Sequence, residues 1–90
     1  MDILNDIQMF KIISDSNQFI QFISQELMIC PSKLGLDTNL RSIETWSSLN
    51  ALILISRINE ETDLTMSSSD LSKLITVNDL YLYLQKQVNN

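Results

Sequence analysis

The sequence contains no histidine and only one cysteine, Cys30. A zinc site built from cysteine and histidine ligands is therefore excluded, and so is an internal disulfide bond. The absence of histidine also removes the side chain that most often acts as a general base near neutral pH. We interpret Cys30 as a small buried apolar residue rather than a nucleophile, because no histidine is available to activate its thiol.

Glycine and proline are equally scarce, with one residue of each in a chain of 90. A fold of many short β-strands needs more of these turn-forming residues, whereas long periodic segments without them favour helices. Hydrophobic residues make up 44% of the chain and charged residues 19%, which is the balance of a globular protein. The length suits one modest core, so we expect a single small all-α domain.

Basic residues are few, and the sequence has no long apolar run. Six Lys and Arg residues stand against eleven Asp and Glu residues, which gives a formal net charge of −5. This charge argues against nucleic acid as a partner and favours a protein with a basic docking surface. No stretch approaches the ~20 apolar residues of a membrane-spanning helix, and no secretory signal begins the chain. We expect a soluble, cytoplasmic protein that is a monomer.

Apolar residues at helical spacing begin close to the N-terminus. Residues 2–13 carry them at three- and four-residue steps, which predicts a helix with one apolar face. We expect residues 1–13 to form an extra helical segment that packs on the domain, with a docking or dimerising segment as the alternative. Contact with a membrane surface is disfavoured, because Lys11 is the only basic residue of this segment.

A second helix is predicted over residues 16–28, because small polar residues that often cap helices precede an apolar pattern there. Pro31 ends this segment, since the residue before a proline is pushed out of the helical region. Residues 31–46 are predicted to form a long loop that apolar side chains hold against the core. Trp46, the only tryptophan, is interpreted as a core anchor, with a binding platform as the alternative. The expected contact residues of the loop are Leu34, Leu36, Leu40, Ile43 and Trp46.

Two serines, Ser47 and Ser48, lie directly before the most apolar run of the chain, residues 49–55. Ser47 is a good N-cap, because its hydroxyl oxygen can accept a hydrogen bond from a backbone N–H that the first helical turn leaves unpaired. Ser48 then occupies the first helical position. A phosphate group on its hydroxyl would meet unpaired amides and the positive end of the helix dipole. The pattern predicts a helix over 48–61 whose start can hold an anion.

The apolar residues of this helix exceed one face. Leu52, Ile55 and Ile58 are spaced as a buried stripe, while Leu49 and Ile53 form a second line around the cylinder. A helix of this kind is either central to the core or carries an apolar outer strip.

The remaining sequence predicts two further helices. The acidic run at 60–63 is interpreted as the solvated end of the preceding helix, with a cation site as the alternative. A short helix is predicted over 69–74, because a serine and an aspartate at capping-box spacing precede it. Thr76 repeats this device for a last helix over 77–87, and residues 88–90 are expected to fray.

This order of elements, together with Trp-Ser-Ser-Leu at residues 46–49, resembles the acyl carrier proteins. Their signature is Asp-Ser-Leu at the start of the second helix, preceded by tryptophan in one subgroup. The matching segment covers about 14–86, including Leu-Ile-Thr-Val at residues 74–77, where the family has an Ile/Leu-x-Thr-Val step. The resemblance implies a small four-helix bundle of the acyl-carrier type, with three main helices plus one short helix, over residues 14–87.

The resemblance also implies a site. Ser48 matches the family's modified serine and would carry covalent 4'-phosphopantetheine, which a phosphopantetheinyl transferase adds. Ser47 stands where the family has aspartate, so it keeps the helix cap but lacks a charge that the transferase commonly meets. If the register of the match is shifted by one residue, Ser47 is the alternative attachment site. No catalytic and no metal-ligating residue is predicted.

The exposed face of the second helix is usually acidic in this family, because it docks on basic patches of partner enzymes. Several corresponding positions are apolar or neutral here, and a basic residue is added. We therefore predict a partner surface that is less basic and more apolar than usual. The predicted partner-docking residues are Leu49, Asn50, Ile53, Arg57 and Glu60.

The leading hypothesis is a stand-alone carrier that holds an acyl, or alternatively an aminoacyl, group as a thioester on the arm at Ser48. It would present this group to acyl-processing enzymes of ligase, synthase or transferase type in fatty acid or polyketide biosynthesis. The alternative is a non-carrier helical interaction module that has lost the prosthetic group. An enzyme in its own right is disfavoured, because a serine hydrolase needs a base beside its nucleophile and no lysine lies near Ser48 in sequence.

Overall fold

The computed structural model describes residues 11–88, and within this range it contains four α-helices joined by loops and short 3₁₀ turns. The helices are α1 (Ser16–Glu26), α2 (Ser48–Thr62), α3 (Ser68–Ser72) and α4 (Val77–Val88). The 3₁₀ turns are Lys11–Ile13, Pro31–Lys33 and Leu40–Ser42. Extended pairing between residues 11 and 88 is confined to a single bridge between Asn39 and Thr76. The predicted all-α architecture of three main helices plus one short helix is confirmed.

The three longer helices bury their apolar faces in one shared core. Each helix contributes fully buried side chains one turn apart, which is the spacing of a helix face that packs on a core. The ring of Phe19 on α1 also packs against the ring of Tyr81 on α4, with centroids 5.3 Å apart. The fully buried pairs are Phe19 and Ile23 on α1, Leu54 and Ile58 on α2, and Leu80 and Leu84 on α4. Among the helices described, none has the length and apolar character that crossing a membrane requires.

The long connection between α1 and α2 is held against the domain by apolar side chains and backbone hydrogen bonds. The backbone N–H of Leu40 donates to the carbonyl of Ile75 at 2.8 Å, and that of Val77 donates to Thr38 at 3.0 Å. These bonds fix the loop to the start of α4. The predicted contact residues all pack on the core, with Leu34, Leu40 and Ile43 buried and Leu36 and Trp46 half-buried.

The helix starts follow from short polar side chains that accept hydrogen bonds from first-turn amides. Asp15 caps α1 in this way. Ser67 and Asp70 form a complete capping box at α3, as predicted. The Thr76 hydroxyl accepts a bond from the Asp79 N–H at 3.1 Å, and the Asp79 carboxylate accepts one from the Thr76 N–H at 3.0 Å. The bond from Thr76 lowers the pKa of Asp79.

Most of the predicted N-terminal helix, residues 1–10, lies outside the described residues, as do residues 89 and 90. Of the predicted segment, Lys11–Ile13 forms a 3₁₀ turn. Ile13 is buried, and its carbonyl accepts a 2.6 Å hydrogen bond from Nε2 of Gln85 on α4. This bond ties the start of the described chain to the last helix.

The prediction that Cys30 is buried is wrong, because its side chain is exposed. Helix α1 ends at Glu26, two residues before the predicted end, and Met28 adopts a left-handed backbone with φ of 54°. Ile29 then packs against the core, while Cys30 continues in an extended conformation. Successive side chains of an extended chain point to opposite sides, so placing Ile29 inside puts Cys30 in solvent.

The prediction that Leu52 belongs to the buried stripe of α2 is also wrong, since its side chain is 55% exposed. The residues that α2 does bury are Leu54, Ile55, Ile58 and Thr62. Successive residues are about 100° apart around a helix, so a stripe centred on these four leaves Leu52 at its edge. Leu52 therefore faces the gap between α2 and α3 instead of the core.

Candidate functional site

The start of α2 is capped as the sequence predicts. Ser47 is the N-cap, with φ of −155° and ψ of 166°, and its hydroxyl oxygen accepts a 3.1 Å hydrogen bond from the Asn50 N–H. The Ser47 carbonyl accepts the first helical bond, from the Ala51 N–H at 2.8 Å. The Ser47 hydroxyl is therefore engaged with the backbone in its acceptor role.

Ser48 is the first residue of α2 and its side chain is exposed. The part of the chain that the structure describes places no hydrogen-bond partner on its hydroxyl, which distinguishes it from Ser47. The N–H groups of the first turn that have no helical partner, together with the helix dipole, favour a negative group at this point. The residues at the start of α2 thus fit a phosphodiester on the Ser48 hydroxyl.

Side-chain to backbone hydrogen bonds fix the segment before Ser48. The Asn50 side chain donates from Nδ2 to the Thr45 carbonyl at 2.6 Å. The Thr45 hydroxyl donates to the Leu27 carbonyl, also at 2.6 Å, which joins this segment to the end of α1. The Trp46 N–H donates to Ile43 at 2.9 Å. Ser48 is consequently presented from a start of α2 that is attached to the rest of the fold.

An open cavity of about 330 Å³ lies beside Ser48, between α2, α3 and the loop that precedes α2. Its apolar lining includes Ala51, Leu52 and Ile55 of α2 and Leu71 of α3. Trp46 lines it from the loop, so this side chain is both partly packed on the core and part of a concave surface. The cavity places an apolar surface directly next to the exposed hydroxyl.

Arg41 also belongs to this site, although the sequence did not predict it. It lines the cavity that Ser48 also lines. Its guanidinium donates to the carbonyls of Leu74 and Leu71, at 2.7 and 3.2 Å. These partners lie 33 and 30 positions further along the chain, so no local pattern could have revealed the contact. The only feature of the sequence that could have indicated Arg41 is its place as a single arginine between two residues that contact the core, Leu40 and Ile43.

The outer face of α2 carries three exposed apolar side chains, Leu49, Leu52 and Ile53. Their exposed fractions are 66%, 55% and 43%. Leu49 and Ile53 are one turn apart on the side of α2 opposite the buried stripe, and Leu52 flanks them. We call these three residues the apolar strip. Contiguous exposed apolar area is typical of surfaces that contact another molecule.

The predicted docking residues differ in how far they are free to meet a partner. Asn50 is half-buried and its amide is bonded to the segment before α2. Arg57 contacts Glu26 at 3.3 Å and Glu60 at 2.6 Å, and it reaches Glu61 at 4.0 Å. The hydrogen bond that Arg57 donates to the Glu26 carboxylate raises the pKa of Arg57. Carboxylates from α1 and α2 thus offset the positive charge of Arg57 next to the apolar strip.

The described residues do not assemble a catalytic or metal-binding group at this site. No base contacts the Ser48 hydroxyl within residues 11–88, so this hydroxyl has no activating partner of the kind that a serine hydrolase needs. Nor do three side chains of the His, Cys, Asp and Glu type come together there as metal ligands. What this arrangement can do is hold the Ser48 hydroxyl in a fixed and accessible position.

The surroundings of Cys30 favour the thiolate form of its exposed side chain. Its Sγ lies 3.1 Å from the Ser32 hydroxyl, and this contact, the Ser32 N–H and the charge of Lys33 lower the pKa of the thiol. We predict that the alkylation rate of the unmodified protein rises with pH around a midpoint below the ~8.5 of a free cysteine. Measuring the iodoacetamide rate from pH 6 to 10 checks this, and Ser32→Ala should move the midpoint upward.

Because Cys30 is the only cysteine, the same measurement has a clear control. Cys30→Ser should remove all thiol reactivity from unmodified protein. A midpoint at or above the free-thiol value, or one that Ser32→Ala leaves in place, would contradict the assignment of the hydrogen bond.

Comparison with known proteins adds a family-level match. A sequence model described as "Phosphopantetheine attachment site" matches residues 17–84, which is well over half of the chain. The matched range contains Ser47, Ser48, the cavity and the apolar strip. No curated protein matches the chain at a significant level.

Proposed function

The chain belongs to the phosphopantetheine-attachment family, and from this premise we propose that it is a stand-alone acyl carrier whose arm is attached to Ser48. Members of this family carry covalent 4'-phosphopantetheine and are carriers rather than enzymes. We propose residues 14–87 as the carrier domain and residues 1–13 as an N-terminal extension of it. The observation that carries the proposal is the exposed, unbonded hydroxyl of Ser48 at a capped helix start.

Attachment of the arm requires no catalytic function of Ser48 itself. The phosphopantetheine arm, when bound, supplies a thiol that holds an acyl group as a thioester. The transferase provides the base for attachment, so the carrier needs a hydroxyl that is accessible and held in place. The bonds of Asn50 and Thr45 supply the second requirement, and the exposure of Ser48 supplies the first.

The cavity beside Ser48 supports the choice of an acyl group as cargo. Its apolar lining from α2 and α3 is suited to a carbon chain, and ligand sites often lie between the helices of bundles. An aminoacyl group, which carries a charged amine, is less suited to such a lining. We propose that an acyl chain folds back into this cavity between transfers.

Ser47 stands where the family has aspartate, and this difference supports attachment by a transferase that is specific for this carrier rather than by one that modifies carriers in general. The hydroxyl keeps the capping bond to Asn50, so the helix start is preserved without the negative charge. A transferase that relies on a cation to meet this aspartate would bind the chain more weakly. The transferase of the native host is therefore the proposed partner for attachment.

The experiment that tests the carrier proposal is coexpression with several phosphopantetheinyl transferases, followed by intact mass spectrometry. At least one transferase, including the one from the native host, should add the mass of a single phosphopantetheine. If the mass stays unchanged with every transferase, the chain is instead a non-carrier interaction module that kept the fold.

We propose that the apolar strip docks in a neutral, apolar groove of the acyl-processing enzyme that loads or unloads the carrier. Leu49, Leu52 and Ile53 are exposed and carry no charge, and the adjacent Arg57 is paired with carboxylates, so the strip itself offers apolar area without a free positive charge beside it. Burying one such side chain contributes roughly 1.5–3 kcal/mol before the costs of association.

Introducing a carboxylate into the apolar strip distinguishes docking in an apolar groove from docking of an acidic helix face on a basic patch. The two docking modes predict changes of opposite sign in the KM. Ile53→Glu should raise the KM of the loading enzyme for the carrier by about tenfold or more, because a carboxylate would enter an apolar groove. Leu82→Glu is the matched control, since Leu82 is 53% exposed on α4 and away from the strip. The KM follows from initial rates of acyl loading, and a lower KM for Ile53→Glu would contradict the proposal by indicating a basic groove.

A further inference from the structure

One positive charge lies in a cavity whose lining is otherwise apolar or uncharged. Arg41 lines it together with Leu52 and Ile55 of α2, Leu71 of α3 and the hydroxyl-bearing Ser48. A plain alkyl chain in this cavity would lie beside a guanidinium and would contribute nothing to its solvation. A ligand with an apolar body and a negatively charged end would contact both kinds of lining.

The guanidinium of Arg41 is held in place but keeps donors free. Nη1 donates to Leu74 and Nη2 to Leu71, which anchors the side chain at the C-terminal end of α3. A guanidinium has five N–H donors in a planar fork, so these two bonds leave three for a further acceptor. Within the part of the chain that is described, no carboxylate lies within 4.0 Å of Arg41, in contrast to Arg57 with its three.

We infer that the cavity binds acyl groups that end in a carboxylate, and that Arg41 binds this carboxylate. This inference rests on the proposed attachment of the arm to Ser48. The cavity of about 330 Å³ has room for roughly ten groups of the size of a water molecule, at about 30 Å³ each. A dicarboxylic acid of medium length, joined to the arm through one carboxyl group, fits this volume and this charge.

The phosphodiester on Ser48 is another negatively charged group near this cavity. Unpaired amides and the helix dipole already stabilise a negative group at the start of α2. Arg41 is anchored on the carbonyls of Leu71 and Leu74, at the C-terminal end of the short helix α3, rather than on the start of α2. We therefore assign Arg41 to the cargo, and the experiment separates the two possibilities.

The test compares three forms of the protein, each loaded by a transferase that accepts coenzyme A analogues with stable amide linkages. One form carries the bare arm, one a hexanoyl chain and one an adipoyl chain, which has the same length and a terminal carboxylate. Chemical shifts of the Ala51 and Leu71 amides and of the Trp46 indole report occupancy of the cavity in ¹H–¹⁵N spectra. The adipoyl form should populate the cavity about threefold more than the hexanoyl form, as expected of a partly solvated ion pair.

Variants of Arg41 test whether its guanidinium causes the preference of the cavity for the adipoyl chain. Arg41→Gln should abolish the difference between adipoyl and hexanoyl, while Arg41→Lys, which keeps the charge, should retain it. Lys86→Gln on α4 removes the same charge outside the cavity lining and should behave like the wild type. The ¹H–¹⁵N spectrum of each unloaded variant verifies that it is folded.

Three results would overturn the inference. Equal occupancy by adipoyl and hexanoyl chains in the wild type would remove the carboxylate preference. A change in the ³¹P shift of the arm with Arg41→Gln, equal in all three loaded forms, would assign Arg41 to the phosphodiester. Retention of the adipoyl preference in Arg41→Gln would show that the carboxylate binds to another group.

Failure of the proposed function gives a different result, because no transferase then adds mass to the chain. In that case the cavity is tested on the unmodified protein with free adipoyl and hexanoyl amides of pantetheine. Tighter binding of the adipoyl amide, lost in Arg41→Gln, would still support a carboxylate site, and equal binding would reject it.

Discussion

Replacing Ser48 with alanine should abolish the mass gain that a phosphopantetheinyl transferase produces on this protein. The substitution removes the hydroxyl that would attack the coenzyme, and alanine is well tolerated at the first position of a helix. The fold should therefore survive while the modification is lost completely. Intact mass spectrometry after coexpression measures the outcome directly.

Ser47→Ala is the matched control for this experiment, since it removes a hydroxyl one residue away. The mass gain should persist, but the Asn50 N–H loses its acceptor and the free energy of unfolding should fall by about 0.5–2 kcal/mol. If Ser47→Ala abolished the mass gain and Ser48→Ala retained it, the attachment site would be Ser47.

Truncating Leu54 to alanine should lower the free energy of unfolding by about 2–5 kcal/mol. Leu54 is fully buried on α2, between the helices that form the core, so the change removes apolar contacts and leaves a cavity. This is a large share of the ~5–15 kcal/mol that stabilises a typical domain. Urea unfolding can be followed through the fluorescence of Trp46, the only tryptophan.

The neighbouring residue provides the comparison. Ile53→Ala changes a side chain that is 43% exposed in the apolar strip, and it should cost less than about 1 kcal/mol. Similar losses for Leu54→Ala and Ile53→Ala would contradict the placement of Leu54 in the core and of Ile53 on the exposed side of α2.

The helix starts could be predicted from the sequence because their causes are local. Ser47, Ser67 and Thr76 each cap a helix by accepting a bond from an amide three residues ahead. The same side chains therefore give the same geometry wherever the following residues are helical. This locality is why the start of α2, and with it the first helical position of Ser48, could be predicted.

The orientation of α2 could be predicted only in part, because its apolar residues cover more than one face. Spacing alone assigned both Leu52 and Ile55 to the core, whereas the packing of the fold buries Ile55 and leaves Leu52 exposed. Cys30 is a similar case, since its exposure depends on where α1 ends and on Ile29 packing inward. Both errors come from tertiary contacts that a local pattern does not contain.

The place of Arg41 in the site could not be predicted from the sequence for the same reason. Its position in the cavity is set by the carbonyls of Leu71 and Leu74, which the fold brings to it from the region around α3. A functional residue fixed by such distant partners leaves no periodic signal in the sequence. The apolar strip, by contrast, was recognisable as a possibility, because Leu49 and Ile53 form a line of their own.

The attachment of the arm to Ser48 is the central claim, and its most direct test is the mass of the protein purified from its native host. Digestion and tandem mass spectrometry of the peptide that contains Ser47 and Ser48 locate any modification. We predict one phosphopantetheine, on Ser48. A peptide without modification, or one modified on Ser47, would contradict this account.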